Sequence, residues 1–376
     1  MKYYLFILTS FIIFYGCSAS LIRIKTNPDQ KTYPMFGKIP GRDFYTPENI
    51  GDTLIKKWEN DVNGGFANSS VTIYGGYIFV GDLSGRIFCF NDTTGKVMGK
   101  LKYKGAVFSA PIIYKTNVIF AVVSENSGES DLISYNFVAG NENYDKEIKG
   151  KILTEIIKKD SSIVFSTEDG KVFRYSVKGE KIWEAKTGSF THSSPAMGDN
   201  IIVFGNDKGE LLAVSYNDGK ILYRPKIGGP FFCGATIQNG VVYTGNDNGK
   251  LYAIDIKSGN IKWEFDTHAR IKMTPAIKDD IVLIGNLNGD LFAVNKSGGE
   301  QIWVTETGGL FDATPLITEN SVIQPDLNEK FYLIDLHTGK ILNSYALDGR
   351  VKLTPVIADS TLFIGYENGY ICAYEY

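Results

Sequence analysis

A repeat with a period of forty residues is the strongest constraint on the fold of this chain. The segment GNDNGKLYAIDIKSGNIKW at 245–263 returns as GNLNGDLFAVNKSGGEQIW at 285–303. A glycine in a polar turn marks the same phase along the chain, with Glu329 in its place in one copy. These glycines are Gly85, Gly170, Gly209, Gly249, Gly289 and Gly369. With a degenerate copy at 125–137 the sequence holds eight copies, which is typical of propellers and solenoids.

Each copy reads as four short β-strands. An apolar strand precedes the glycine turn, an alternating strand follows it, and a second turn leads to a short third strand. A loop then enters a strand that carries Pro111, Pro195, Pro275, Pro315 or Pro355. Because proline cannot donate to a ladder, it indicates an edge strand, which in a propeller blade is the innermost one. We predict an all-β fold, an eight-bladed β-propeller.

The two ends of the chain are predicted to close the ring together. The last copy stops at Tyr376, after its third strand. The segment TLIKKWEND at 53–61 resembles NIKWEFD at 260–266 and precedes the first copy without three strands of its own. We therefore predict that this N-terminal strand completes the eighth blade.

Aromatic residues recur four positions after the second turn glycine. Their recurrence in successive copies predicts packing against the neighbouring blade and not a binding site. The residues at this position are Trp183, Tyr223, Trp263, Trp303 and, in the last full copy, Asn343, with Trp58 expected in the closing strand.

The N-terminus is typical of a bacterial lipoprotein. The apolar run at 3–16 is too short for a membrane-spanning helix and fits the core of a signal peptide. It ends in FYGCS, which resembles a lipobox and predicts lipidation of Cys17, with ordinary signal cleavage as the alternative. Ser18 in place of Asp favours the outer membrane, by resemblance to enterobacterial lipoproteins. The predicted divisions are a signal peptide at 1–17, a polar tether at 18–50 and the propeller at 51–376. Partial draping of the tether on the propeller stays open.

Charge and cysteine usage argue against several classes of function. The net charge of −3 does not suggest a nucleic-acid binder. Cys89, Cys233 and Cys372 match no metal-site spacing and are expected to be small buried hydrophobes. A disulfide between Cys89 and Cys372 stays open. The three histidines lie in no recognisable nucleophile motif.

The repeat resembles the PQQ-type propeller repeat. Its pattern is filled by Ala253, Asp255, Gly259 and Trp263. The segment at 33–58 also resembles a lead-in found in many such proteins, through Pro34, Met35, Phe36 and Arg42, with Tyr33 where a tryptophan is usual.

Eight such repeats behind a lipoprotein signal resemble the BamB family. This resemblance implies a monomeric, non-enzymatic scaffold without a cofactor, anchored by lipid to the periplasmic face of the outer membrane. The implied partners are the POTRA region of a BamA-like barrel protein and unfolded barrel precursors, which could pair with exposed strand edges.

Two other classes of protein use the same ring. Quinoprotein dehydrogenases have the same eight-bladed ring, but by resemblance they carry a vicinal cysteine pair that this chain lacks. Asp255 and Asp335 recur at a turn position, so capping of the turn is the expected role of both. An envelope-tethered propeller that binds a ligand or acts as a sensor is the second hypothesis.

One repeat position suggests a recognition surface. The residue three places before each proline or its equivalent is mostly not apolar, whereas a packing position would be uniformly apolar. These residues should lie together at one mouth of the channel. A solvated loop mouth without a partner is the alternative. The predicted ring consists of Asn68, Phe108, Leu153, His192, Phe232, Lys272, Asp312 and Lys352.

Overall fold

The structure, a computed structural model, describes residues 21–25 and 32–376 and confirms the predicted all-β propeller. Its eight four-stranded sheets are the blades, numbered here in chain order of their innermost strands. In seven blades the strands follow one another outward from the axis in sequence order. A short 3-10 turn, Glu367–Gly369, lies within the eighth.

The strand bounds show the regularity of the repeat. Blade 1 contains Thr72–Tyr74, Tyr77–Gly81, Arg86–Asn91 and Val97–Lys102. Blade 2 contains Ile112–Tyr114, Asn117–Val123, Ser130–Asn136 and Asn141–Ile148. Blade 3 contains Ile157–Lys159, Ser162–Ser166, Lys171–Ser176 and Lys181–Lys186. Blade 4 contains Ala196–Gly198, Ile201–Gly205, Leu211–Ser215 and Ile221–Tyr223.

The second half of the ring repeats this pattern. Blade 5 contains Ala235–Gln238, Val241–Gly245, Lys250–Asp255 and Ile261–Asp266. Blade 6 contains Ala276–Lys278, Ile281–Gly285, Asp290–Asn295 and Gln301–Glu306. Blade 7 contains Leu316–Ile317, Ser321–Pro325, Lys330–Asp335 and Ile341–Ala346. Blade 8 contains Val356–Ala358, Thr361–Tyr366, Tyr370–Glu375 and, as its outer strand, Ile55–Asp61.

The ring closes at blade 8, as the sequence predicted. Ile55–Asp61 pairs antiparallel with Tyr370–Glu375, so the outer strand of the last blade comes from the N-terminal side of the chain. A second junction was not predicted: Ser69–Ser70 pairs in parallel with Leu353–Thr354. Both junctions join blade 8 to the segment that leads into blade 1.

At five of the eight blade junctions an aromatic side chain contacts the next blade, which confirms the predicted packing role of these residues. The ring of Trp263 lies against Gly299, where an added Cβ would be 2.8 Å from the indole. Gly299 also has a φ of +85°, which a side chain would strain. Each aromatic donates a hydrogen bond of 2.9 Å to a turn carbonyl of the next blade, in the pairs Trp58–Asp92, Trp183–Tyr216, Tyr223–Ile256, Trp263–Lys296 and Trp303–Leu336.

Residues 32–50 form a plug across one end of the channel, so this part of the predicted tether at 18–50 is packed on the propeller more extensively than the partial draping that the sequence left open. The plug follows the ring, and its carbonyl groups accept hydrogen bonds of 2.7–3.0 Å from the innermost strands of successive blades. The donor and acceptor pairs are Ile73–Tyr33, Ile113–Pro34, Met197–Pro40, Ile237–Gly41, Ile277–Asp43 and Ile317–Phe44. Phe44 is completely buried and Phe36 packs edge-on against it. The plug therefore satisfies inner strand edges that would otherwise be unpaired.

A short piece of the predicted tether also lies on the propeller. Ile22 and Ile24 are buried in a cluster shared by blades 1 and 2. The backbone N–H of Ile24 donates to Phe137 at 2.8 Å, and the Tyr135 hydroxyl donates to the carbonyl of Ile22 at 2.9 Å. Residues 21–25 are thus part of the folded body.

Two smaller predictions are confirmed among the described residues. Cys89, Cys233 and Cys372 are free and buried, so the possible disulfide is not formed. Asp255 and Asp335 each accept backbone N–H bonds in their turns, at 2.8 Å from Ser258 and from Thr338. The pKa of Asp255 is held below its ordinary value mainly by the backbone N–H of Ser258, and that of Asp335 mainly by the hydroxyl of Thr338.

Candidate functional site

The candidate site is a cavity on the axis of the ring, about 510 Å³ in volume. Phe36 of the plug lies at its floor, and the opposite end forms the mouth. The lining comes from the loops that enter the innermost strands of all eight blades, so each repeat contributes at the same height. All eight residues of the predicted ring line this cavity, and we call them the mouth ring.

A buried residue sets the position of the mouth ring in seven of the eight repeats, and the half-buried Ala67 takes its place in the first. The residue just before it packs between blades: Phe231 fits against Gly205, where an added Cβ would be 2.2 Å away. The backbone N–H of Phe231 donates to Asn206 at 3.1 Å, and equivalent bonds recur in other repeats. The next side chain, Phe232, then faces the channel. Asn68 is exposed and the other members are half-buried.

The mouth ring has a charged half. Lys272, Asp312 and Lys352 enter from blades 6, 7 and 8. Asp312 accepts a hydrogen bond of 2.5 Å from Asn68 and pairs with Lys352 at 3.5 Å. Lys272 pairs instead with Asp247, at 3.4 Å. These contacts orient the charges without removing them from water.

The other half of the mouth is largely aromatic and apolar. Phe108 and Leu153 enter from blades 2 and 3, followed by His192 and Phe232. The ammonium group of Lys272 lies 3.8 Å from the centre of the Phe232 ring, in a cation–π contact at the border of the two halves. The His192 Nδ1 atom lies 3.0 Å from Asp207. The mouth thus offers a charged arc beside an apolar arc.

Sequence reasoning missed two buried ionisable side chains, Glu155 in the cavity lining and Arg42 in the plug. Glu155 lines the cavity with 3% of its surface exposed, and its Oε2 atom accepts from the Ala110 N–H at 2.9 Å. Arg42 of the plug is also buried, 5.2 Å above the ring of Phe36. Neither Nη atom of Arg42 nor the Oε1 atom of Glu155 has a hydrogen-bond partner among the described residues.

Burial dominates the protonation of this pair. It raises the pKa of Glu155 to about 7, although Ser69, then the charge of Arg42 and the N–H of Ala110 favour the charged form. It lowers the pKa of Arg42 to about 10, against the attraction of Glu155. A signal existed in the sequence, since Glu155 occupies the place before the proline equivalent where other repeats have small or hydroxyl residues.

Two features are absent from the part of the chain that the structure describes. Within 21–25 and 32–376 no three His, Cys, Asp or Glu side chains are grouped to hold a metal ion. In the same residues no helix is long and apolar enough to cross a membrane. The predicted signal peptide and Cys17 lie outside the described residues.

These features define the class: an eight-bladed propeller of PQQ-type repeats, with its channel closed at one end by its own chain. The chain belongs to the family described as outer membrane protein assembly factor BamB, whose family model matches residues 53–192 and 168–376. A comparison with curated protein sequences gave no match.

Solved structures share this fold at low sequence identity. BamB from Moraxella catarrhalis is 13% identical, with a TM-score of 0.72 over 86% of this chain and 100% of that one. Quinohemoprotein alcohol dehydrogenase from Comamonas testosteroni is 11% identical, with a TM-score of 0.75 over 92% and 80%. A europium-containing methanol dehydrogenase is 10% identical, with a TM-score of 0.74 over 89% of each chain. At these identities the likeness shows the fold alone.

Proposed function

We propose that this chain is a non-enzymatic scaffold lipoprotein that assists the assembly of β-barrel proteins in the outer membrane. The observation that carries the proposal is the family match, which spans the propeller from residue 53 to residue 376. The family description names an assembly factor, and the sequence adds a lipoprotein-like N-terminus. Lipid on Cys17 would hold the propeller at the periplasmic face of the membrane.

The geometry supports a rigid platform for protein contacts. The ring is closed twice at blade 8, and the plug holds the inner strand edges. The surfaces left for a partner are the mouth and the outer strand edges. The charged arc of Lys272, Asp312 and Lys352 provides complementarity for a folded partner such as a BamA-like POTRA region. The outer edges suit an extended barrel precursor, through strand addition.

The roles of these polar groups support a scaffold over an enzyme. Asp255 and Asp335 are used in turns, and His192 is held by Asp207. Arg42 and Phe44 of the plug are fully packed, so their side chains are committed to closing the channel. A dehydrogenase would need convergent acidic ligands at the axis, where the cavity offers the single buried carboxyl of Glu155 among the described residues.

Co-purification from the detergent-solubilised envelope tests the proposal. The tagged full-length chain should recover a BamA-like barrel protein, identified by mass spectrometry. The double variant Lys272→Ala, Lys352→Ala should recover less, because the charged arc is removed while both lysines are half-exposed and contribute little to stability.

A matched control removes the same charge far from the mouth. Lys257→Ala, Lys262→Ala changes two exposed lysines of blade 5 and should recover as much partner as the unmodified chain. Recovery of no barrel protein by the unmodified chain would refute the scaffold proposal. Equal recovery of the barrel protein by both double variants would show that the charged arc of the mouth does not contribute to partner binding.

A ligand-binding propeller is the second candidate, and the axial cavity favours it. The cavity combines aromatic walls with hydroxyl groups and one buried carboxyl, a combination common in small-molecule sites. Native mass spectrometry of the protein purified from its envelope tests this reading. A bound small molecule together with no barrel protein supports the second candidate over the first.

A further inference from the structure

The outer strands of the blades differ in how they are protected from pairing. Two positions on each outer strand stand one and three residues after the aromatic residue that contacts the next blade, or after its equivalent, and all of them except Lys100 of blade 1 are exposed. In seven blades at least one of them is charged. From blade 1 to blade 6 these pairs are Lys100 and Lys102, Asp145 and Glu147, Glu184 and Lys186, Arg224 and Lys226, Glu264 and Asp266, and Val304 and Glu306; blade 8 has Glu59 and Asp61.

Blade 7 departs from this rule. Its two positions are Ser344 and Ala346, and the whole outer strand, Ile341–Ala346, contains neither a charge nor a proline. Ile341, Ser344 and Ala346 are exposed. Charges and prolines on edge strands are the usual protection against pairing with another chain, so this edge lacks the protection that the other seven have.

The segment before the closing strand contacts side chains of this strand: Asn343 donates to the carbonyl of Asp52 at 3.2 Å, and the Leu54 N–H donates to the Tyr345 hydroxyl at 2.7 Å. Among the described residues no strand pairs with its outer backbone edge. Ile341–Ala346 is the last strand of its sheet, with Lys330–Asp335 on its inner side. The N–H of Ser344 donates to the side chain of its neighbour Asn343 at 2.8 Å, a contact that an incoming carbonyl group could replace. In the other blades a strand that paired with the outer edge would meet at least one of the charged side chains named above.

We propose that the outer edge of blade 7 is a strand-addition site for an extended segment of a partner protein. The inference rests on the proposed scaffold function and names the blade that would receive a β-strand. The segment would continue the antiparallel sheet, uncharged over its centre. Lys340 and Asp348 flank the edge and belong to no ion pair among the described residues, so the segment would be basic at its N-terminal end and acidic at its C-terminal end.

A second copy of this chain is a poorer occupant. A second copy would present the outer strand of its own blade 7, so the contact would be confined to one strand of each molecule. A stable and specific interface buries at least about 1,000 Å² with good complementarity, which a single pair of rim strands does not supply. A flexible segment can instead fold its side chains over both faces of the strand.

The test uses the purified full-length chain and a synthetic peptide. The probe has alternating Thr and Val, Lys at its N-terminal end, Glu at its C-terminal end, a fluorophore, and a photo-crosslinking residue at its centre. Crosslinks located by mass spectrometry should fall within Ile341–Ala346. The variant Ser344→Glu, Ala346→Asp copies the charges of blade 5 and should weaken binding about tenfold in fluorescence anisotropy.

The reciprocal variant is the matched control. Glu264→Ser, Asp266→Ala gives blade 5 the residues of blade 7 and should add crosslinks within Ile261–Asp266. Crosslinks spread over several blades of the unmodified chain, or equal affinity of the charged variant, would overturn the inference. So would a dimer in light scattering that the charged variant abolishes, because the occupant would then be a second copy.

The peptide assay and the co-purification can fail separately. If the peptide binds blade 7 but no barrel protein is recovered from the envelope, the scaffold proposal fails and the edge site stands. If the barrel protein is recovered and the peptide does not crosslink to blade 7, the edge site fails and the scaffold proposal stands.

Discussion

The contact between Trp263 and Gly299 offers a quantitative test of how the blades are joined. Trp263 is 9% exposed, and its indole N–H donates to Lys296 at 2.9 Å. Replacing it with alanine removes a nearly buried ring, for which we expect a loss of about 3–5 kcal/mol in the free energy of unfolding. Gly299→Ala should cost about 1 kcal/mol for its positive φ and a further 1–3 kcal/mol for displacing the indole.

The two changes should not add. In a Trp263→Ala background the indole is gone, so Gly299→Ala should cost only the backbone strain, and the coupling energy should be about 1–3 kcal/mol. Gly308→Ala is the control, because Gly308 has a φ of +69° and a Cβ there would meet nothing within 4 Å. Urea unfolding followed by far-UV circular dichroism measures the unmodified chain, the two single variants, the double variant and the Gly308→Ala control. Equal losses in the free energy of unfolding for Gly299→Ala and Gly308→Ala would refute the contact between Trp263 and Gly299.

Three further changes test other parts of the structure. Trp58→Ala should loosen the closing strand, so that amide exchange of Tyr370–Glu375 becomes faster while that of blade 4 is unchanged; unaltered exchange would contradict the closure at blade 8. Phe44→Ala should lower the free energy of unfolding, measured in urea, by about 3–5 kcal/mol, whereas Ile39→Ala at an exposed position should lower it little. Equal effects would indicate that residues 32–50 do not pack as a plug. The raised pKa of Glu155 means that its folded form binds a proton that the unfolded form releases, so stability falls as pH rises through about 7. Between about pH 5 and about pH 8 the loss in free energy of unfolding should be about 3 kcal/mol smaller in Glu155→Gln, and identical pH profiles would argue against the buried carboxyl.

The fold was predictable because the repeat carries it locally. Turn glycines, alternating strands and inner-strand prolines recur in phase, so blade number follows from counting. The mouth ring was predictable for the same reason: His192 and Lys272 stand at one fixed distance from the strand that places them. Their placement around one cavity is now a structural finding, while binding of a partner by them stays a prediction.

The plug was not predictable from local pattern. Its segment is rich in proline and polar residues and has no period, as a tether would be. Its hydrogen bonds go to six innermost strands, one residue or two at a time, and no local preference records such distant partners. The burial of Arg42 beside Glu155 depends on this plug, so the floor of the cavity could not be inferred before the path of residues 32–50 was known.

Direct binding between purified components tests the central claim most closely. The full-length chain and the isolated POTRA region of a BamA-like barrel protein can be titrated by isothermal calorimetry, with the Lys272→Ala, Lys352→Ala variant measured in parallel. A scaffold that binds its partner through the mouth should show saturable one-to-one binding that is weaker in the variant. The absence of binding by the unmodified chain, together with dye reduction by the same protein when it is supplied with PQQ and calcium, would contradict the scaffold function.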